Sequence, residues 1–333
     1  MHPRDYTVGW ICAVETECVA ACELLDDEHL APLSDSFHDP HDNNTYTRGR
    51  IGEHHIVIAC LPKGRYGIAS AASVAKDMLR SFESIQIGLM VGIGGGAPSD
   101  KHDIRLGDVV VGCPLNRVGG VVPYNFGKAI QDHEFQETGS LNSPPTLLLT
   151  AVTKLSVNNK RKGNNIAKWV KKITKNANLS EEYQHPGAEH DRLYESSYAH
   201  RDNDLKCESS CDSASPPVLR RPRRAPDPNA PMVHYGLIAS ADTLMKDAVA
   251  RDQLIKKHDI LCFEMEAAGL MNEFPCVVIR GICDYSDSHK NDVWQAYAAA
   301  SAASYAKELL CIIPGYQITR TQTATAIAVE TSE

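Results

Sequence analysis

The sequence predicts an α/β protein with a central mixed β-sheet flanked by helices. Apolar runs of strand length recur along the chain, and the run over 276–279 is continuous, as in parallel strands that are buried on both faces. Stretches of helical length separate these runs, and small residues at their starts allow close packing on a sheet. With 333 residues, the chain is long enough to bury a substantial core.

The N-terminal part begins with a strand followed directly by a helix. A β-rich apolar run over 6–14 predicts the strand, and Glu15 and Glu17 then start a helix that reaches residue 25. Two carboxylates at a helix N-terminus are stabilised by the helix dipole, so their position alone does not imply chemistry. The next predicted elements are a loop over 26–44, a hairpin of 46–51 and 54–61, and a helix over 68–82.

A glycine cluster ends the next predicted strand. The strand covers 86–92, and the sequence continues as Gly-Ile-Gly-Gly-Gly-Ala, which includes Gly94 and Gly95. Glycines at a strand end let backbone N–H groups approach an anion or a nucleophile closely. The spacing matches neither the dinucleotide-binding fingerprint nor the P-loop, so the cluster alone is a weak signal.

The middle of the chain changes in composition. The elements before and after the change are a strand over 104–112, a connection over 118–139, helices over 144–157 and 166–173, a strand over 233–240 and an Ala-rich helix over 294–312. Between 176 and 231, Pro, Ser, Asp, His and Arg dominate, which predicts a flexible insertion. Its basic cluster, Arg220 to Arg224, fits a solvated linker, a partner-binding patch or a clamp for substrate phosphates. The polar tail over 313–333 is expected to be disordered.

The stretch over 263–287 carries the strongest indication of chemistry. Glu264 and Glu266 flank Met265 before a patch of small residues, and Asp284 follows the apolar run of a predicted strand. Open α/β sheets usually place their chemistry beyond the carboxyl ends of strands. These carboxylates predict a pocket that binds a polyhydroxylated ligand and protonates a group beside it.

This stretch resembles the superfamily of purine nucleoside phosphorylases and methylthioadenosine/adenosylhomocysteine nucleosidases. The resemblance implies a three-layer sandwich, here a single domain over 1–312. It also implies that Met265 and Glu266 hold the ribose and that Asp284 acts at the purine ring. Glu17 would activate the attacking water. The remaining substrate-binding residues that it implies are Phe263, Glu264, Ser240, Leu244, Met245, Gly94 and Gly95.

The resemblance favours hydrolysis over phosphorolysis. Many phosphorylases of the superfamily bind phosphate with an Arg and a Ser around the strand-end Val-Gly, where this chain has Met90 and Ile93. The expected function is a purine nucleosidase that hydrolyses the N-glycosidic bond of adenosine, AMP or ATP to free base and ribose or ribose phosphate. A phosphate-dependent phosphorylase and a non-catalytic nucleoside-sensing domain are the alternatives.

Three runs, LMVGIGGGAPS, HDIRLGDVVVG and CFEMEAAGLM, are most similar to the phosphorylase-like N-terminal domain of fungal NLR-type proteins. The resemblance implies a small-molecule purine nucleoside or nucleotide as the partner. It also implies a homo-oligomer, since superfamily members assemble as dimers, trimers or hexamers. No cofactor is expected, because the carboxylates can supply the electrostatics.

Bulk composition argues against several other classes. The net charge of -8 argues against a general nucleic-acid binder. No run approaches the ~20 apolar residues of a membrane span, and the N-terminus lacks a signal pattern, so a cytoplasmic location is expected.

Cys207 and Cys211 have His190 and His200 upstream, but no second close pair of ligands completes a zinc site, so no metal is predicted.

Overall fold

The structure is a computed structural model that describes residues 1–31, 39–131, 136–201, 207–211, 218–224, 227 and 229–326. The strands are β1 Val8–Cys12, β2 Asp27–Glu28, β3 Tyr46–Ile51, β4 His54–Cys60, β5 Ile87–Gly96, β6 Val109–Gly112, β7 Val121–Pro123, β8 Gly127–Lys128, β9 Gln136–Glu137, β10 Val233–Ser240, β11 Ile260–Glu264 and β12 Cys276–Asp284. The helices are α1 Glu15–Glu23, α2 Ile68–Ser81, α3 Thr146–Lys162, α4 Ile166–Ile173, α5 Cys207–Ser210, α6 Ala248–His258, α7 Gln295–Ile312 and α8 Gly315–Thr319. Short 3-10 helices cover Pro3–Asp5, Ala188–His190 and Ala267–Gly269.

One mixed sheet carries the strands in the order β11, β10, β6, β12, β5, β1, β4, β3, β2, with β7 paired to β10. The neighbours β4, β1, β5 and β12 are parallel, whereas β6 is antiparallel to β12. Every residue of β12 is buried, which explains its continuous apolar run. The predicted central mixed sheet is confirmed.

Helices cover both faces of this sheet and give the fold three layers. One face packs on α1, α3, α4 and α7, and the other face packs on α2. The Ala-rich helix α7 lies very close to β12, because a Cβ added at Gly281 would be 1.8 Å from the Ala298 carbonyl oxygen. This contact fixes the end of β12, where Asp284 lies. None of the described helices is both long and apolar enough to cross a bilayer.

The glycine cluster lets the sheet curl back on itself. Gly95 and Gly96 at the end of β5 pair antiparallel with Phe263 and Cys262 of β11. A Cβ at Gly94 would lie 2.5 Å from the Cys262 Sγ and 2.9 Å from the Phe263 carbonyl oxygen. Gly94 is therefore required for strand packing, and its contact with a ligand stays a prediction.

Part of the C-terminal tail over 313–333, for which the sequence predicts disorder, contacts the rest of the domain. Helix α8 follows α7 within two residues, and Ile318 on it is buried in the core. The Ala324 N–H donates to the Ile85 carbonyl at 2.7 Å, which attaches the chain to the edge of the domain. Apolar side chains within the Thr-rich sequence anchor this segment. Residues 327–333 lie outside the described part of the chain.

Several described residues of the 176–231 insertion pack against the body of the domain, while the flexibility predicted for the insertion stays a prediction. The buried Tyr183 donates its hydroxyl to the Thr16 carbonyl at 2.8 Å. Arg221 donates to Asp191 at 2.9 Å, and Arg224 donates to Asp108 at 2.7 Å. Paired arginines and buried aromatic rings hold this polar sequence in place. The domain boundaries themselves stay a prediction.

Candidate active site

Glu17 lies in the first turn of α1, at the carboxyl end of β1. Its carboxylate is buried and accepts N–H donors from Ala13 at 2.6 Å, Val14 at 3.2 Å and Ile93 at 2.7 Å. Burial raises the pKa of Glu17, while the nearby Arg280 guanidinium and these N–H groups oppose the rise. A fixed carboxylate with a raised pKa is suited to accept a proton.

Arg280 occupies the centre of the site, although no sequence pattern predicted a role for it. The side chain is buried in β12, and Nη2 donates to Glu264 and, at 3.4 Å, to Glu266. Its Nη1 donates to the Ile93 carbonyl at 3.3 Å. A Cβ at Gly92 would lie 2.3 Å from the Glu17 Oε1 and 2.6 Å from the Arg280 Nη1. Only glycine at 92 leaves room for these two charged groups.

The pKa of the Glu266 carboxyl group is strongly changed by its surroundings. Burial raises its pKa to about 7, although the positive charge of Arg280 lowers it. Its Oε1 accepts the Gly67 N–H at 3.3 Å, and that glycine has a φ of +92°. A carboxyl group with this pKa changes its charge near neutral pH.

Two residues predicted to bind substrate, Glu264 and Ser240, also have hydrogen-bond partners within the protein. Glu264 accepts the N–H groups of Glu266 at 3.1 Å and Ala267 at 3.0 Å and also pairs with Arg280, so it fixes the turn that presents Glu266. The Ser240 hydroxyl accepts the Ala268 N–H at 2.9 Å and is fully buried. The Ser240 oxygen therefore faces the turn, and the assignment of Ser240 to the base site stays a prediction.

Asp284 ends β12 and forms an ion pair that the sequence did not predict. Its Oδ1 accepts the Ser286 N–H at 2.8 Å, and its Oδ2 lies 2.5 Å from the Lys290 Nζ. The carboxylate raises the pKa of Lys290, so the amine remains an ammonium against burial. A Cβ at Gly95 would lie 2.7 Å from the Asp284 Oδ1, so glycine keeps this carboxylate accessible.

A narrow cavity of about 20 Å³ lies between Asp284 and the apolar side chains of Leu244, Met245 and Phe263. The residues lining it are Gly95, Thr243, Leu244, Met245, Phe263, Glu264, Met265, Asp284, Ser286 and Lys290. The structure therefore brings together most of the residues that the sequence assigned to the substrate. Tyr124 supports the wall, since its ring meets Phe263 edge-on at 5.7 Å and its hydroxyl donates to the Thr243 carbonyl at 2.9 Å.

Solved structures share this arrangement of strands and helices. Futalosine hydrolase of Helicobacter pylori matches with a TM-score of 0.55 and 17% identity, over 92% of this chain and 97% of the hydrolase. A 5′-methylthioadenosine/S-adenosylhomocysteine nucleosidase from Neisseria meningitidis, in complex with methylthio-immucillin-A, matches with a TM-score of 0.54 and 17% identity, over 92% and 98%. This chain has the nucleosidase fold. The resemblance predicted from the sequence is confirmed at the level of the fold.

The curated proteins that are similar to this chain in sequence are longer than it. A nucleotide-binding leucine-rich repeat (NLR)-like protein of Hyaloscypha variabilis is 46% identical over 313 residues, which are 94% of this chain and 30% of that protein. ATP nucleosidase Cap17 of Escherichia coli strain KTE188 is 33% identical over 78 residues, 22% of this chain and 15% of that protein. The chain spans less than a third of the length of these relatives. No protein-family model matches it.

Within the nucleosidase fold, the two positions expected to separate hydrolases from phosphorylases are apolar. Met90 is fully buried in the core. Ile93 contributes backbone groups, its N–H to Glu17 and its carbonyl to Arg280. Neither side chain can donate a hydrogen bond to phosphate. Arg280, which does carry a charge at this edge, is already bound to two glutamates.

Proposed function

We propose that this protein is a purine nucleosidase that hydrolyses the N-glycosidic bond of an adenine nucleoside or nucleotide. One observation carries the proposal: an acid, the Asp284–Lys290 pair, and a set of buried glutamates held by Arg280 meet at one edge of the sheet. Cleavage of this bond needs a proton for the leaving base and negative charge near the cationic sugar. The arrangement supplies both from side chains.

Each group has a separate role in the proposed reaction. The Asp284–Lys290 pair delivers a proton to purine N7 as the bond from the sugar to the base breaks. Glu266 accepts hydrogen bonds from the ribose hydroxyls, and its charge favours the oxocarbenium-like transition state. Glu17 takes a proton from water while the water oxygen bonds to the sugar carbon. Met265, Phe263, Leu244 and Met245 form the apolar surroundings of the sugar and base.

Substrate entry requires movement of the segment over 242–247. The cavity of about 20 Å³ holds roughly one water, whereas pockets that bind drug-sized ligands have volumes of roughly 300–1,000 Å³. Leu244 on this segment is 46% exposed, so the segment can move outwards without breaking the main core. Closure over a bound nucleoside would then exclude water from the acid pair.

Product analysis tests hydrolysis directly. Pure protein is incubated with adenosine, AMP and ATP, with and without orthophosphate, and the free base and sugar products are separated by chromatography. We expect free adenine with ribose or its 5′-phosphorylated form, at a rate independent of phosphate. Ribose 1-phosphate as the main product would establish a phosphorylase. Absence of product with all three substrates, alongside measurable nucleoside binding, would favour a sensing domain.

The charge of Glu266 predicts a pH-dependent stability. Because its folded-state pKa is raised from 4.5 to about 7, the folded protein binds more protons than the unfolded chain in this window, and stability falls as pH rises through it. Each pKa unit is worth about 1.4 kcal/mol, so Glu266→Gln should gain on the order of 3 kcal/mol relative to wild type across the window. Urea midpoints at several pH values measure this gain. The exposed Glu273→Gln variant is the control, and parallel curves for wild type and Glu266→Gln would contradict the prediction.

The basic cluster can be divided by its contacts before its role is tested. Arg221 and Arg224 are bound to Asp191 and Asp108, so they support the fold. Arg220 is exposed and, with Arg251, lines a cavity of about 700 Å³. The Nη1 of Arg251 donates at 2.7 Å to the carbonyl of Tyr285, the residue after Asp284. Through Arg251, the wall of this cavity contacts the residue next to Asp284, and the cavity is large enough for a nucleotide.

We expect the double variant Arg220→Ser/Arg223→Ser to lower kcat/KM for ATP by roughly two- to thirtyfold, in line with exposed ion pairs of about 0.2–1 kcal/mol each. The kcat/KM for adenosine should not change, and added salt should weaken the preference for ATP. Lys171→Ser, an exposed charge on α4, is the matched control. Equal losses on both substrates, or none, would leave the basic cluster as a solvated linker.

A further inference from the structure

One histidine and two cysteines meet beside the loop that follows Asp284. The His200 Nδ1 lies 3.1 Å from the Cys211 Sγ and 3.6 Å from the Cys207 Sγ. All three potential ligand atoms lie within 4.8 Å of one another. Cys207 begins the short helix α5 and Cys211 directly follows it, so one turn of helix brings both thiols to the same side.

These distances fit a tetrahedral zinc ion. Zinc binds thiolate sulfur at about 2.3 Å and imidazole nitrogen at about 2.0–2.1 Å, which at tetrahedral angles separates nitrogen from sulfur by about 3.6 Å and the two sulfurs by about 3.8 Å. The nitrogen–sulfur distances of 3.1 and 3.6 Å require only small adjustments. Two soft sulfurs and an imidazole are the ligand set that zinc prefers.

His289 provides an independent indication of a ligand. It is only 5% exposed, and neither of its ring nitrogens has a hydrogen-bond partner among the described residues. Buried polar groups rarely lack partners, so such an imidazole needs an explanation. Its ring meets that of His200 edge-on at 5.6 Å, and its carbonyl lies 3.7 Å from the Cys207 Sγ. To act as a ligand, His289 would have to rotate its ring, which stacks on Tyr194 at 3.9 Å between centroids, so that a nitrogen faces the cluster.

We propose that His200, Cys207, Cys211 and His289 bind one structural zinc ion. The site goes beyond the proposed hydrolysis and does not depend on it. A full set of four protein ligands is typical of a structural site, because a catalytic zinc keeps one position open. The ion would join the insertion to the loop after β12. The His200 N–H already donates to the Ser288 hydroxyl at 2.8 Å, and Lys290, next to His289, holds Asp284.

Metal content of the purified full chain tests the site. Protein expressed with added zinc and passed through a desalting column should retain about one zinc per chain, measured by plasma mass spectrometry. Cys207→Ser and Cys211→Ser should lose it. Cys311→Ser, which removes an exposed thiol elsewhere, should keep it. Protein that holds no zinc after this treatment, or a Cys207–Cys211 disulfide found by peptide mapping of that protein, would overturn the proposal.

The fourth ligand is tested separately by affinity. Zinc competition with a chromophoric chelator should show binding weakened in His289→Ala by more than the roughly 10–100-fold that loss of an outer-shell partner costs. His190→Ala, which removes a histidine outside the cluster, should bind zinc as wild type does. Cobalt should give the intense visible bands of a tetrahedral site in wild type. Unchanged affinity in His289→Ala would exclude His289 as a ligand.

If the variants fail to fold, zinc can instead be removed from the wild-type chain and added back. A strong chelator should lower Tm, and zinc, but not magnesium, should restore it, because a ligand that binds the folded state stabilises it. A Tm that the chelator does not change, in protein shown to have lost its zinc, would contradict a structural role. None of these measurements uses nucleosidase activity, so their outcome is independent of the proposed reaction.

Discussion

Asp284→Asn should lower kcat by roughly 10²- to 10⁴-fold, the usual contribution of a general acid. The amide keeps the shape of the carboxylate but cannot pass a proton to the leaving base, and it leaves the Lys290 ammonium without its anion. Substrate affinity should change little, since the cavity lining is otherwise the same. Single-turnover assays for the chemical step, with equilibrium binding of an uncleavable analogue, separate these two effects.

The control for Asp284→Asn lies on the same loop. Asp292 is exposed, and its carboxylate accepts only the Gln295 side-chain amide at 2.6 Å among the bonds of the described residues, so Asp292→Asn should keep full activity. Lys290→Met tests the other member of the pair, because it removes the ammonium while leaving Asp284 in place. Near-normal kcat in Asp284→Asn would show that the proton comes from another group.

Arg280→Met should destabilise the fold by about 3–5 kcal/mol, the cost of leaving buried charges uncompensated. Arg280 and Glu264 are each about 1% exposed at their side chains, and Glu266 is 7% exposed, so water cannot replace the lost guanidinium. Activity should fall as well, because Glu266 and Glu17 lose the positive charge that opposes the rise in their pKa caused by burial. Urea unfolding monitored by circular dichroism gives the change in the free energy of unfolding.

Arg80 provides a matched control for burial. It also pairs with two carboxylates, Asp39 at 2.7 Å and Asp77 at 2.8 Å, but its side chain is 35% exposed. Exposed ion pairs contribute about 0–1 kcal/mol, so Arg80→Met should cost far less. The double variant Arg280→Met/Glu264→Gln should recover part of the loss. If both arginine variants lost the same stability, burial would not be the reason for the effect.

The sequence predicted the strands and the mixed sheet, and the structure confirms both. Continuous apolar runs report burial on both faces, which is a local property of a segment. The apolar run before Asp284 predicts that this residue follows a strand. Parallel strands bring their carboxyl ends to the same edge of the sheet, where chemistry is usual. A local pattern does not predict the close packing at Gly94, whose neighbour across the sheet, Cys262, is distant in sequence.

Only the tertiary structure decided which side chains pair. The residues that the sequence missed, Arg280 and Lys290, have ordinary local surroundings, and their importance comes from partners on other elements. The register that sets Arg280 of β12 beside Gly92 of β5 brings its guanidinium next to Glu17. In the same way, His289 reaches Cys207 and His200 only because the insertion folds back onto the loop after β12. Sequence patterns report the burial and direction of one segment, whereas the position of a charge relative to its partner depends on how distant segments pack.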